Sequence, residues 1–187
     1  MKPVTRWTRL AASRFRTGGI NRAPSPVLAH STPWLSIMLA SLLPTMPVIA
    51  STPLLPPFGF LLLLAWRQVR PGLLPVWAGL PLGVFDDIYS GQPFGSAILL
   101  WSSAMIALEV IDARIPWRSY VIDWLAAAAI VLAYLLLTLV FANAAGGAAQ
   151  LSAIVPQAVT AVLLYPLAGR LVAVLDRVRL TPIMDLK

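Results

Sequence analysis

Cysteine is absent from the 187 residues, which excludes disulfides, thiolate nucleophiles and cysteine-based metal sites. Histidine occurs once, as His30. It sits in a polar stretch ahead of the first apolar segment, where one imidazole builds no zinc site unaided, and serine–histidine catalysis lacks a partner. No glycine-rich phosphate loop with its lysine is present. Charge is the scarcest commodity: 11% of residues are charged, against about 25% in an ordinary soluble domain. The remainder is 59% hydrophobic with a mean hydropathy of +0.81. These deficits describe an integral membrane protein with little room for a separate water-soluble domain.

Charge of one sign is missing from particular places. Residues 1–32 hold six basic residues and no acidic one. This stretch does not read as a cleavable signal peptide, because its charged part is long and no compact apolar run follows closely. If helical, Trp7, Leu10, Ala11 and Phe15 share a face largely opposite Arg6, Arg9 and Arg16. That pattern suits a helix lying on anionic lipids, with a disordered basic tail as the alternative.

From residue 33 the chain alternates apolar runs with short breaks: residues 34–50, 54–66, 71–85, 93–108, 124–141 and 151–169. A straight span needs about 20 residues. The last three runs approach that length. The first three are short or broken by Pro44, Pro47, Pro56, Pro57, Pro75 and Pro81, so kinked helices are expected, their freed carbonyls satisfied by neighbouring helices.

The basic residues orient these runs. Six spans with both termini cytoplasmic place Arg67, Arg70, Arg114 and Arg118 in inner loops, and the other ten in the two terminal segments. All 14 lysines and arginines then lie inside, and the three outer connections hold none. The formal charge of +7 is therefore a topology signal and not a nucleic-acid one. The expected fold class is an all-α polytopic membrane protein of six transmembrane helices, several short or proline-kinked. The expected domains are a basic extension at 1–32, a membrane body at 33–176 and a cytoplasmic tail at 177–187. Trp34, Trp66, Trp117, Tyr120 and Trp124 are expected near the cytoplasmic interface, where amphipathic rings settle.

Seven acidic residues remain to be placed. Asp176 and Asp185 read as solvated ion-pair partners in the basic tail, and Asp123 as a favourable charge at a helix N-terminus. Glu109 and Asp112 share a helix face near Arg114 and Arg118. They read either as an interfacial cluster fixing helix depth or as a contact for a cytoplasmic partner. Asp86 and Asp87 lie in PLGVFDDIYSGQPFG, residues 81–95. A carboxylate at mid-membrane costs about 2.5–3.5 kcal/mol, so both are expected at the outer end of the third run. There SGQP forms a turn and Pro93 begins the next helix. Adjacent helical side chains diverge by about 100°, so the doublet does not converge on one proton or metal, and no enzymatic role is expected. Gly79/Gly83 and Gly91/Gly95, each four apart, are expected to let two helices pack closely.

The stretch Gly83-Val-Phe-Asp-Asp87-Ile-Tyr-Ser-Gly91-Gln-Pro-Phe-Gly95 resembles the MreD family of the bacterial rod-shape machinery. Asp87 matches the family aspartate, and Asp86 stands where an apolar residue is usual. PPFGFLLLLAW at 56–66 and LLYP at 163–166, with Tyr165 and Pro166, add to the resemblance, which covers residues 34–180. The resemblance implies a non-enzymatic inner-membrane protein without a cofactor. Its implied partners are an MreC-like bitopic protein, an MreB-like filament, and RodA with its class B penicillin-binding protein. It also implies a helical core similar to the substrate-binding subunits of energy-coupling-factor transporters. The structural or partner-contact candidates are Asp87, Gly83, Gly91, Gly95, Glu109, Asp112, Tyr165 and Pro166. The alternative function is a small-molecule-binding subunit of a membrane transporter, suggested by short proline-broken helices and by Asn143 and Gln150 at the outer face.

Overall fold

The computed structural model describes residues 22–24, 26–45, 55–115, 119–180 and 182–185. Six helices form its body: α1 (Pro26–Ser41), α2 (Phe58–Val69), α3 (Gly79–Tyr89), α4 (Ser96–Arg114), α5 (Tyr120–Ala144) and α6 (Leu151–Arg179). Outside them, β1 (Arg22–Pro24) pairs antiparallel with β2 (Pro182–Asp185), Arg22 opposite Asp185, so the two flanks of the helical body meet. The basic stretch before residue 22, residues 46–54, and Trp117 with Arg118 lie outside the described residues.

Three helices are long and apolar enough to cross a membrane by length and composition: α4, α5 and α6 from Ile154 onward. The other three are shorter, and burial explains how α2 tolerates this. At 12 residues it is about 18 Å long, well short of a hydrocarbon core of about 30 Å. Every residue from Gly59 to Arg67 is buried, because α1, α4, α5 and α6 pack around it. A helix apolar on every side belongs in the centre of a bundle. By contrast, α5 and α6 turn Leu132, Leu136, Val140, Val159, Leu163 and Leu167 outward, as a lipid-facing surface requires.

The first helix begins earlier than its apolar run. Pro26 opens α1, and the helix gives way at Leu43–Thr45 to a 3-10 turn containing Pro44. Proline fits the first turn, where its missing N–H has no intrahelical partner, and cannot extend a helix already running. Two internal prolines show how the fold deals with the carbonyl each one frees. Pro33 removes the donor to Ala29 O, and Arg179 Nη1 of α6 donates there instead at 2.9 Å. Pro166 removes the donor to Val162 O, and Trp124 Nε1 of α5 replaces it at 3.2 Å. Both substitutes come from another helix, so each kink is also a tertiary contact.

Trp66 departs from its expected interfacial position. It is fully buried in α2, donates from Nε1 to Ser36 Oγ at 2.9 Å, and lies under the Arg179 guanidinium. The surrounding helices enclose it before lipid can.

Candidate functional site

The most extensive contact between helices joins α3 to α4. A Cβ on Gly79 would fall 2.8 Å from the Trp101 carbonyl carbon, and one on Gly83 2.7 Å from Ile98 Cα. The first glycine pair therefore lets α3 lie directly on the α4 backbone. Gly91 and Gly95 do something different from the close packing expected of them. They sit in the connecting turn with φ of +68° and +98° and no neighbour within reach of a Cβ. Glycine is favoured there by its access to left-handed backbone. The helix after the turn starts at Ser96, three residues beyond Pro93.

Gly95 is the residue before α4 and has no side chain with which to cap it. Asp87 supplies the cap from the preceding helix. Its Oδ1 accepts from Ala97 N at 2.9 Å, and its Oδ2 accepts from Gly95 N at 2.9 Å and Ile98 N at 3.2 Å. The Ser96 hydroxyl adds a longer bond at 3.4 Å. Backbone N–H groups that begin a helix lack intrahelical acceptors, and the helix dipole favours an anion among them. One buried carboxylate thus meets orphaned donors and closes the hairpin.

Asp86 is also buried but turns elsewhere. It lines a cavity of about 170 Å³ with Ser41, Ser90, Gln92, Tyr134 and Gln157. Among the described residues no cation and no backbone N–H bonds its carboxylate. The buried Ser41 hydroxyl stands beside it outside hydrogen-bonding geometry. Gln92 Nε2 reaches Tyr134 Oη at 3.5 Å, and Gln157 Nε2 donates to Leu55 O at 3.0 Å. Tyr134 is held by stacking on Phe60, their ring centroids 4.2 Å apart.

A second set of charges lies at the other end of the bundle, where α2, α4 and α6 finish. Glu109 and Asp112 do share a face, but the arginine between them is Arg67 of α2, 4% exposed. It pairs with Glu109, and with Asp112 at 3.1 Å. Asp176 is buried and not solvated as expected. Arg70 reaches it at 2.6 Å and Arg179 at 2.7 Å. Burial is tolerable because each carboxylate oxygen has a guanidinium donor. Tyr165 donates to Gln68 Oε1 at 2.5 Å, and Gln68 Nε2 donates to Asp123 O at 3.1 Å. Together with the Trp124 bond beside Pro166, these tie α2, α5 and α6 together. Arg67, expected in an inner loop, is instead buried within α2, and nothing in the sequence singles out Gln68. The available signal was a charged residue directly after a run of unbroken burial propensity, FGFLLLLAW.

Among the described residues no cluster of three or more histidine, aspartate or glutamate side chains gathers as a metal site would. The geometry joins helices through buried charge at both ends.

A family model described as rod shape-determining protein MreD matches residues 28–174. No curated protein and no solved structure matches the chain.

Proposed function

The chain belongs to the MreD family of rod shape-determining membrane proteins, and from that premise we propose that it is a non-enzymatic subunit of the bacterial elongation complex. In this reading it lies in the inner membrane, holds an MreC-like bitopic protein, and links MreB-like filaments to RodA and its class B penicillin-binding protein. The observation that carries the proposal is the family match, which runs from within α1 to within α6. An apolar outer surface on α5 and α6 supports residence in lipid.

The proposed topology has six crossings with both termini cytoplasmic. It is supported by the segregation of all 14 basic residues away from the three outer connections. The basic extension at 1–32 then lies against anionic lipids, and the tail at 177–187 lies on the same side. Within this arrangement Asp87, Gly83, Gly91 and Gly95 shape the outer hairpin, while Tyr165 and Pro166 fix α6 to its neighbours. Glu109 is 56% exposed beside Arg67, and with Asp112 it offers the cytoplasmic filament or its adaptors an acidic contact.

Depletion in a rod-shaped host is expected to round the cells, and affinity purification from native membranes to bring down an MreC-like protein. Unchanged shape and an unchanged pattern of wall insertion, with no paralogue present, would refute the proposal. The topology has its own test, because the chain has no native cysteine to give background. Ser90→Cys should react with an impermeant maleimide from outside intact cells, and Ser119→Cys only after the membrane is opened.

A further inference from the structure

Asp86 is 8% exposed as a residue and has no counter-charge among the described residues. Its companions in the cavity are neutral: Ser41, Ser90, Gln92, Tyr134 and Gln157. Its chain neighbour Asp87 is committed to the start of α4. The arginines with described side chains are remote. Arg67, Arg70, Arg114, Arg170, Arg177 and Arg179 stand in the closing portions of α2, α4 and α6 or just past them. The cavity is built at the opposite end, from the finish of α1 and α3, the start of α2 and α6, Tyr134 of α5, and the turn before α4. Residues 46–54, which join α1 to α2, contain no lysine, arginine or histidine. Burying a lone carboxylate is strongly unfavourable unless it is paired or gives up its charge, and no described residue supplies a partner that would let Asp86 stay ionised.

The lining indicates what kind of partner fits. The Ser41 hydroxyl is buried without a hydrogen bond. Gln157 has given its N–H to Leu55 O, which leaves its side-chain carbonyl as an acceptor. With Asp86 these make one charged and two neutral oxygen acceptors around a space of about 170 Å³, which the aromatic residues Phe58, Tyr89 and Tyr134 also line. Calcium takes six to eight oxygens and magnesium a near-ideal octahedron of six, of which one carboxylate and two neutral oxygens supply only part. An ammonium, with three donors, or a guanidinium, with five, needs one anion, a few neutral acceptors and an aromatic surface.

We propose that the cavity beside Asp86 binds a single organic cation, an alkylammonium or guanidinium group, with Asp86 as counter-ion and Ser41 and Gln157 as neutral acceptors. The group belongs either to a free small amine or to a lysine or arginine side chain of an associated subunit. The recognition chemistry is the same in both cases. This inference stands on the cavity and does not rest on the elongation-complex reading. A chain that binds such cations yet is dispensable for cell shape would lose that reading and keep this one.

The test uses the full chain purified in detergent, with thermal unfolding followed by tryptophan fluorescence. Equal ionic strengths of n-butylammonium chloride, methylguanidinium chloride and sodium chloride are compared, with n-butanol as the neutral analogue. Both organic cations are expected to raise the midpoint above sodium chloride and n-butanol, as a ligand of the native state must. Asp86→Asn should weaken the apparent affinity by about tenfold or more. Gln92→Lys, which places an ammonium in the cavity and keeps Asp86, should raise the midpoint and abolish the further response. Native mass spectrometry of the extracted protein then separates the sources. An amine-mass adduct lost in Asp86→Asn identifies a free small molecule. A subunit whose co-purification n-butylammonium disrupts in the parent, and which Asp86→Asn fails to retain, identifies a side chain. Equal midpoints in all four conditions, or a cation response undiminished in Asp86→Asn, would overturn the proposal.

Discussion

Where α2, α4 and α6 finish, Arg67, Asp176 and Arg179 are all buried, and the chain itself provides each with a partner of opposite charge. Where α3 finishes, Asp86 and Asp87 are just as buried, and no arginine or lysine with a described side chain is near. One of the two uses the exposed N–H groups of α4 in place of a cation, and the other faces a cavity. The same segregation of basic residues that supports the proposed orientation leaves the far end without a cation among the described side chains. Among the described residues, one carboxylate there meets helix N–H groups and the other meets a cavity.

This contrast can be broken first where it is strongest. Asp176→Ala leaves Arg179 buried beside Trp66 with its anion removed, and is expected to cost about 3–5 kcal/mol, read as a lowered unfolding midpoint or loss of monodisperse protein. At the other end, Asp87→Ala removes acceptors from the first N–H groups of α4. Its expected cost is about 1–2 kcal/mol, measured by the same melt, with Asp87→Asn losing less because one acceptor oxygen remains. Trp124→Phe deprives Val162 O of its substitute donor and should cost about 1 kcal/mol, distinguishing neutral from charged ties at the basic end. Asp86→Asn is expected to change stability least, by within about 1 kcal/mol and upward, since it removes a buried charge that lacks a partner among the described residues. Opposite signs for neighbouring aspartates are the sharpest form of the comparison; a loss at Asp86 matching that at Asp87 would erase it.

Much of the hairpin was legible in the sequence. Ser-Gly-Gln-Pro signals the turn at residues 90–93, within a connection that runs on to Gly95, and Gly79 and Gly83 meet α4 because their spacing puts them on one helix face. The order of the six helices follows the six apolar runs for the same local reason. Other features were not legible. Gly91 and Gly95 have the same four-residue spacing, yet they lie in the turn, and only backbone conformation separates the two pairs. Trp66 looks interfacial because RQVR follows it, but its burial depends on α1 and α6 closing over α2. Arg67 finds acids 42 and 45 residues away, a distance no periodicity reports.

By itself the sequence determined that the chain is apolar with its basic residues gathered in a few segments, that its carboxylates at 86 and 87 diverge around a helix, and that glycine and proline punctuate the body into six segments. These follow from composition, from the bias of lysine and arginine and from the fixed angle between successive helical residues. Only the tertiary structure decided what each carboxylate meets. Asp87 reaches N–H groups eight to eleven residues ahead because the hairpin folds them back onto it. Asp86 faces a cavity that α3 and the turn after it share with α1, α2, α5 and α6. Neighbours along the chain share a backbone but not a dielectric surrounding, and the surrounding sets the fate of a buried charge.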